Sequence, residues 1–168
     1  MLARIVDAGN HAVWLYRISH WCERRSARPW RWIAYLIYRF SLMLTGADIP
    51  PTVRIGKNFS IPHPVGIVIG TGVVIGDNVK MMSGVVLGSK NAHRSYSDNL
   101  YPVVGNNVFI GANSVILGSI TIGDDSIIGA CTVVTNPIPR QSVVRGAAPL
   151  VEQRGRGPRE ELETSSWS

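Results

Sequence analysis

The sequence predicts an all-β solenoid preceded by an α-helical hairpin, on three observations. From Ile49 to Val134 an aliphatic residue, usually Ile or Val, recurs every six residues, and a small residue, often Gly, commonly follows it. That period fits neither a helix nor an alternating strand, and marks a hexapeptide repeat in which each unit forms one flat face of a triangular coil. The units read Ile55-Gly56-Lys57-Asn58, Ile75-Gly76-Asp77-Asn78, Ile110-Gly111-Ala112-Asn113 and Ile122-Gly123-Asp124-Asp125. In each, one aliphatic side chain is expected to point inward, while Gly, Asn and Asp take the turns where positive φ is cheapest. Residues 1–46 lack the period and carry apolar residues at three- and four-residue spacing instead.

That prefix, residues 1–46, reads as two helices. Ile5, Ala8, Ala12, Leu15, Ile18 and Cys22 mark one amphipathic face. Residues 26–29 break the pattern, and Pro29 suits the start of a second helix. Trp30, Ile33, Ile37, Phe40 and Leu44 then form a stripe, Trp32, Tyr35 and Leu42 make the opposite side apolar too, and Gly46 suits a stop. Arg4, Arg17, Arg24, Arg25, Arg28, Arg31 and Arg39 oppose only Asp7 and Glu23. With Arg31 and Arg39 interrupting it, the second helix is too short to span a membrane, and no signal-peptide cleavage pattern follows. The first expectation is packing against the first helix and neighbouring subunits. The alternative is a peripheral contact with anionic lipid at the inner face of the cell membrane.

The solenoid is expected over residues 47–150. Its anchors run Ile49, Ile55, Ile61, Ile67, then after a two-residue offset Ile69, Ile75, Met81, Leu87, and after an interruption Val104, Ile110, Ile116, Ile122, Ile128, Val134. Two irregularities draw attention. An inserted loop at 88–103 abandons the period and holds Lys90, His93, Arg94, Tyr96, Asp98 and Tyr101, as functional loops do. Ser60-Ile61-Pro62-His63-Pro64-Val65-Gly66 precedes the offset, and its two prolines stiffen the segment around His63. Residue chemistry alone leaves His63 open between a proton acceptor and a turn histidine with an incidental hydrogen bond. Residues 151–168, rich in Arg, Gly, Glu and Ser, are expected to be disordered.

Ala47-Asp48-Ile49-Pro50-Pro51, Ile55-Gly56, His63 with Gly66-Ile67-Val68-Ile69-Gly70, Val86-Leu87-Gly88, Phe109-Ile110-Gly111-Ala112 and Ile128-Gly129-Ala130 resemble the β-helix of the serine acetyltransferases. Leu15-Tyr16-Arg17-Ile18-Ser19-His20-Trp21 is similar to the last helices of that family's N-terminal domain. The resemblance implies a left-handed parallel β-helix, a homotrimer with active sites between neighbouring prisms, and acetyl-CoA as donor. It gives His63 the role of general base and Asp48 that of the carboxylate orienting it. Ala112 and Ala130 match positions lining the pantetheine slot. Gly88 matches the first of a Gly-Gly pair whose second member is Ser89 here. Lys90, Arg140 and Arg145 are candidates for the CoA phosphates, with a solvated surface charge as the plainer reading of each.

The departures concern the acceptor. Pro62 stands where the family has an acidic residue, and Leu100 and Tyr101 stand where it has an Arg-His pair. A zwitterion needs counter-charges that these residues lack. The pattern therefore looks closer to the colanic-acid-type polysaccharide O-acetyltransferases, with a sugar hydroxyl as acceptor and His93, Arg94, Tyr96 and Tyr101 as its expected contacts. L-serine is the alternative acceptor, and a non-catalytic trimeric scaffold the alternative from another class. The repeat carries only His63 and His93, one histidine short of a three-histidine zinc centre, so no metal is expected. Cys22 and Cys131 are too few for a disulfide framework. A net charge of +6 without a nucleic-acid motif argues against nucleic acid, and the composition suits a cytoplasmic enzyme.

Overall fold

The computed structural model describes residues 8–25, 27–90 and 100–147. Two helices, α1 (Ala8–Glu23) and α2 (Arg28–Thr45), lead into the repeat. The strands that follow are two or three residues long: β1 (Arg54–Ile55), β2 (Val68–Ile69), β3 (Val74–Ile75), β4 (Lys80–Met81), β5 (Val86–Gly88), β6 (Val103–Val104), β7 (Phe109–Ile110), β8 (Val115–Leu117), β9 (Thr121–Ile122), β10 (Ile127–Ile128), β11 (Val133–Val134) and β12 (Val143–Val144). They sort into three parallel sheets, β1-β3-β6-β9, β4-β7-β10-β12 and β2-β5-β8-β11, here the first, second and third faces. The chain visits the faces in turn, so each residue hydrogen-bonds to one a full coil away. These parallel sheets, six-residue repeats and two helices fit a left-handed β-helix.

Register locates the irregularities. Val68 pairs with Val86 and Val115 with Val133, eighteen residues on in each case. Asp48 pairs with Val68 and Ser60 with Lys80, twenty residues on. The two extra residues lie between Ser60 on the second face and Val68 on the third, so the offset falls on the His63 segment itself and not after Ile67. The second irregularity, between Val86 and its partner Val115, is the insertion between β5 and β6. It leaves from a different corner, the one joining the third face to the first.

Two inward side chains, not one, fill each unit. The anchor and the residue two before it are both buried, as in Val53/Ile55, Ile67/Ile69, Val73/Ile75, Val79/Met81 and Val85/Leu87. Ile67 thus occupies the second slot and Ile69 the anchor. Alternate residues of a strand face the same way, so a two-residue spacing on one flat face places both inside. In later coils Ser114, Ser126 and Thr132 take the second slot of some units, while Val108 and Ile120 keep it apolar in others. Ser114 is fully buried, and its one hydroxyl proton is shared between the Gly111 and Gly129 carbonyls, 2.8 and 2.7 Å from Oγ.

The corner between the first and second faces is held by a side-chain ladder. Asn58, Asn78, Asn107, Asp125 and Gln141 all have φ between 54° and 58°. The Asn58 amide donates to Asn78 at 2.9 Å, Asn78 to Asn107 at 3.0 Å, and Asn107 to the Asp125 carboxylate at 2.9 Å. Asparagine tolerates the left-handed conformation and its amide spans the coil spacing, which satisfies both demands of this corner.

Helix α1 covers the open end of the first coil. Tyr16 donates to the Val53 carbonyl at 2.7 Å, Arg17 donates to the carbonyls of Ile55 and Gly56, and the His20 imidazole bonds to the Pro51 carbonyl at 2.7 Å. Its buried face is Ala12, Tyr16, Ser19 and Cys22, rotated from the expected face through Leu15 and Ile18. The cause is this capping, which turns Tyr16 toward the coil. Helix α2 starts at Arg28 with Pro29 in its first turn and stops at Gly46, whose φ of 70° lets its N–H return to the Leu42 carbonyl.

The expected stripe of α2 is not its packed face. Its buried residues are the small Ala34, Ser41 and Thr45, while Trp32, Leu36, Phe40, Met43 and Leu44 are exposed. Small residues permit close approach of α1, and that leaves the large ones outward. No helix among the described residues is long and apolar enough to cross a membrane.

The Asn ladder gives a stability prediction. Asn78→Ala removes two side-chain bonds and puts a Cβ residue without local compensation at φ 57°, for a loss of about 1–3 kcal/mol in urea unfolding. Asn78→Gly should lose less, since glycine keeps the backbone. Equal stability of Asn78→Ala and the unmodified chain would show the ladder to be inert.

Candidate active site

The corner joining the second face to the third runs the length of the prism as a column of small residues. Gly46, Gly66, Gly84, Asn113 and Cys131 occupy the same place in successive coils, each with positive φ. The Gly66 N–H bonds to the Gly46 carbonyl at 3.0 Å, Gly84 to Val65 at 3.1 Å, Asn113 to Ser83 at 2.9 Å and Cys131 to Ala112 at 2.8 Å. Val65, Ser83, Ala112 and Ala130 therefore form the adjacent column. A Cβ on Gly111 would lie 2.5 Å from the Ala130 nitrogen, so neighbouring coils approach too closely there for a larger residue. Arg145 tops this edge, its Cα 3.6 Å from where a Cβ on Gly129 would stand.

His63 belongs to this edge. The coil can accept only six residues between faces, so the extra two are pushed outward, and the prolines on either side of His63 stiffen the bulge. His63 is accordingly exposed. Below it, Gly46 touches the Val65 backbone, and two residues after Gly46 comes Asp48, the first member of the outward column Asp48, Val68, Val86, Val115, Val133 on the third face. Thus His63, Asp48, Ala112, Ala130 and Arg145, which the family resemblance brings forward as candidates, share one edge.

Asp48 is already engaged. Its backbone N–H bonds to Ile67 at 2.8 Å and its carbonyl accepts from Ile69 at 2.9 Å, which pins the residue in the ladder. Its carboxylate accepts a 2.6 Å hydrogen bond from the Tyr38 hydroxyl on α2. Among the described residues that carboxylate is bonded to Tyr38 and not to His63. Sequence reasoning passed over Tyr38, because nothing in a helical residue ten positions upstream signals contact with a solenoid carboxylate.

The remaining candidates lie elsewhere. Gly88 ends β5 at the opposite edge of the third face, where its carbonyl accepts from Gly118 at 2.9 Å. Lys90 extends over Gly118 and donates to the Thr135 carbonyl at 2.8 Å, which ties down the departing end of the insertion. At the other end Tyr101 lies over the Gly70-Thr71-Gly72 turn, where a Cβ on either glycine would meet its ring at 2.5 and 2.4 Å. Its ring packs against the core as an anchor for the returning loop. His93, Arg94 and Tyr96 lie outside the described residues. No group of three or more metal-ligating side chains occurs among the described residues.

Three comparisons bear on this chain. Residues 52–89 match the family model of the hexapeptide repeat of succinyl-transferase, and residues 101–136 match that of the bacterial transferase hexapeptide. The chain is 36% identical over 139 residues to a serine acetyltransferase of Helicobacter pylori, covering 83% of this chain and 78% of that one. It belongs to the hexapeptide-repeat acyltransferases. A serine acetyltransferase of Mycobacterium tuberculosis is 42% identical over 138 residues, 82% of this chain and 58% of that protein. Crystal structures of serine acetyltransferases from Vibrio cholerae and from Neisseria gonorrhoeae, the latter in complex with serine, superpose with TM-scores of 0.77 and 0.74. Their identities are 31% and 34%; each superposition covers 84% of this chain, but 52% and 56% of theirs. The chain thus spans little more than half the length of several relatives. These family members are named for serine, which does not support the comparison with polysaccharide O-acetyltransferases.

The site's one strongly perturbed group gives a pH prediction. Burial first, then the bond to Asp48 and its charge, push the Tyr38 hydroxyl up to about 12, and burial pushes Tyr16 to about 12. Both raised values exceed the unfolded value near 10. The stability they contribute is therefore complete below about pH 10 and lost as pH rises toward 12. Ultraviolet titration of the native protein should show two of the five tyrosines ionising near pH 12, and all five near 10 in denaturant. Five native tyrosines titrating together near 10 would contradict this packing.

Proposed function

We propose that this chain is an acetyl-CoA-dependent O-acetyltransferase acting on L-serine. The observation that carries the reading is the shared edge: His63 bulges from the same corner whose small residues, Ala112 and Ala130, leave room for an extended thioester arm. The names of the relatives support L-serine as acceptor. In this reading the fold is a left-handed β-helix, and three chains assemble side by side. In this reading His93, Arg94 and Tyr96 are acceptor-binding candidates, and Gly88 lies near the thioester.

The serine hydroxyl is far too weak an acid to ionise at neutral pH, so its proton must leave as its oxygen attacks. His63 takes that proton while the new C–O bond forms at the thioester carbonyl, giving a tetrahedral intermediate. As the C–S bond breaks, the imidazolium returns the proton to the departing sulfur, and O-acetylserine and CoA leave. Asp48 stabilises the transient imidazolium. Arg145, at the end of the edge, is suited to a CoA phosphate.

A saccharide hydroxyl is the second reading, favoured by one observation. Pro62, Leu100 and Tyr101 occupy positions where the family carries charge, and Tyr101 is spent on the Gly70–Gly72 turn. The outward apolar residues of α2, beside Arg28, Arg31 and Arg39, suit burial against a neighbouring subunit or contact with anionic lipid.

CoA release from acetyl-CoA, assayed with L-serine and with a panel of sugar nucleotides and lipid-linked oligosaccharides, separates the two acceptors. With the better acceptor, His63→Ala should lower turnover by about two to four orders of magnitude without lowering the melting temperature. Light scattering on the same preparation should give a trimer. Undiminished turnover of His63→Ala would refute the base assignment.

A further inference from the structure

We propose that Tyr38 is a positioning residue for acetyl transfer, holding the Asp48 carboxylate in the orientation from which it serves His63. The proposal rests on the acetyltransferase reading and adds to the site a residue from α2, outside the repeat.

A carboxylate that orients an imidazole works only if it is itself held. The Asp48 backbone is held by Ile67 and Ile69, but those bonds leave its side-chain torsions free. The Tyr38 hydroxyl removes that freedom through a 2.6 Å bond to Oδ1, a short charge-assisted contact. A carboxylate offers about four acceptor positions over two oxygens, so this bond leaves Oδ2 available. The phenol suits the task. It has one proton to give, and with its ionisation pushed up to about 12 it keeps that proton at any working pH. Its ring is steadied by the edge-to-face neighbour Tyr35, with centroids 6.3 Å apart.

The plainer role would be a helix-docking bond, in which Tyr38 ties α2 to the solenoid and nothing more. The two roles make different demands. A docking bond contributes to stability without regard to Asp48 chemistry, whereas a positioning bond matters to turnover only while Asp48 is a carboxylate. The hydrogen bond that Tyr38 makes at this edge is to Asp48, so its effect on turnover is expected to pass through Asp48.

The test is a double-mutant cycle on the full chain, with acetyl-CoA and L-serine as substrates and saccharides in parallel. Tyr38→Phe, which deletes only the hydroxyl, should lower kcat about tenfold and leave the KM for acetyl-CoA unchanged, the scale expected of a misplaced catalytic group. In the Asp48→Asn background the same change should cost less than about twofold, since residues acting through one another are not additive. Tyr35→Phe should match the unmodified chain, controlling for ring packing. A kcat for Tyr38→Phe within about twofold of the unmodified chain, or losses that multiply with Asp48→Asn, would overturn the proposal. An unmodified chain that releases no CoA with any acceptor would instead remove the acetyltransferase reading, and the proposal with it.

Discussion

Coil register is the constraint on which the rest of this molecule depends. Each internal strand of a face hydrogen-bonds to the coils on both sides of it, so the length of a coil is set by its neighbours. A strand of two or three residues has no slack to absorb an extra residue without moving its inward side chains to the outside. Additional chain must leave at a corner. Both irregularities obey this: the two-residue excess emerges around His63, and the insertion after β5 emerges at another corner. In the proposed mechanism chemistry falls where the stack expels chain, and the stack fixes the edge on which that chain emerges.

The same stacking creates an end problem. A first coil presents unpaired carbonyls, the solenoid's equivalent of an open sheet edge. Here α1 closes it with three side chains, Tyr16, Arg17 and His20, each bonded to a first-coil carbonyl. Because α1 must lie against the coil, α2 lies against α1 through small residues and reaches Asp48 through Tyr38. The helical prefix is therefore an end cap whose second helix also borders the candidate site.

Much of this was legible in the sequence, for identifiable reasons. The six-residue period survives because every coil imposes the same demand on its anchor, and the corner asparagines declare themselves through their need for positive φ. His63 stood out because prolines flank it at a break in phase. What stayed hidden depended on contacts between segments. The second inward slot is hidden in the later coils, where Ser114, Ser126 and Thr132 look like surface residues until their bonds to carbonyls are seen. The packed face of α2 was misread because its stripe is apolar on both sides, and only the neighbour's shape selects the small residues. The packing of Tyr101 over Gly70 and Gly72 was hidden too, because those glycines lie about thirty residues upstream and no local pattern links them.

The central claim is that donor and base meet on one edge of the prism, and a crystal structure of the protein with CoA tests it most directly. The account predicts a pantetheine arm running along Ala112 and Ala130, with its sulfur beside the His63 imidazole and its phosphates toward Arg145. CoA bound along another edge, with its sulfur remote from His63, would contradict it.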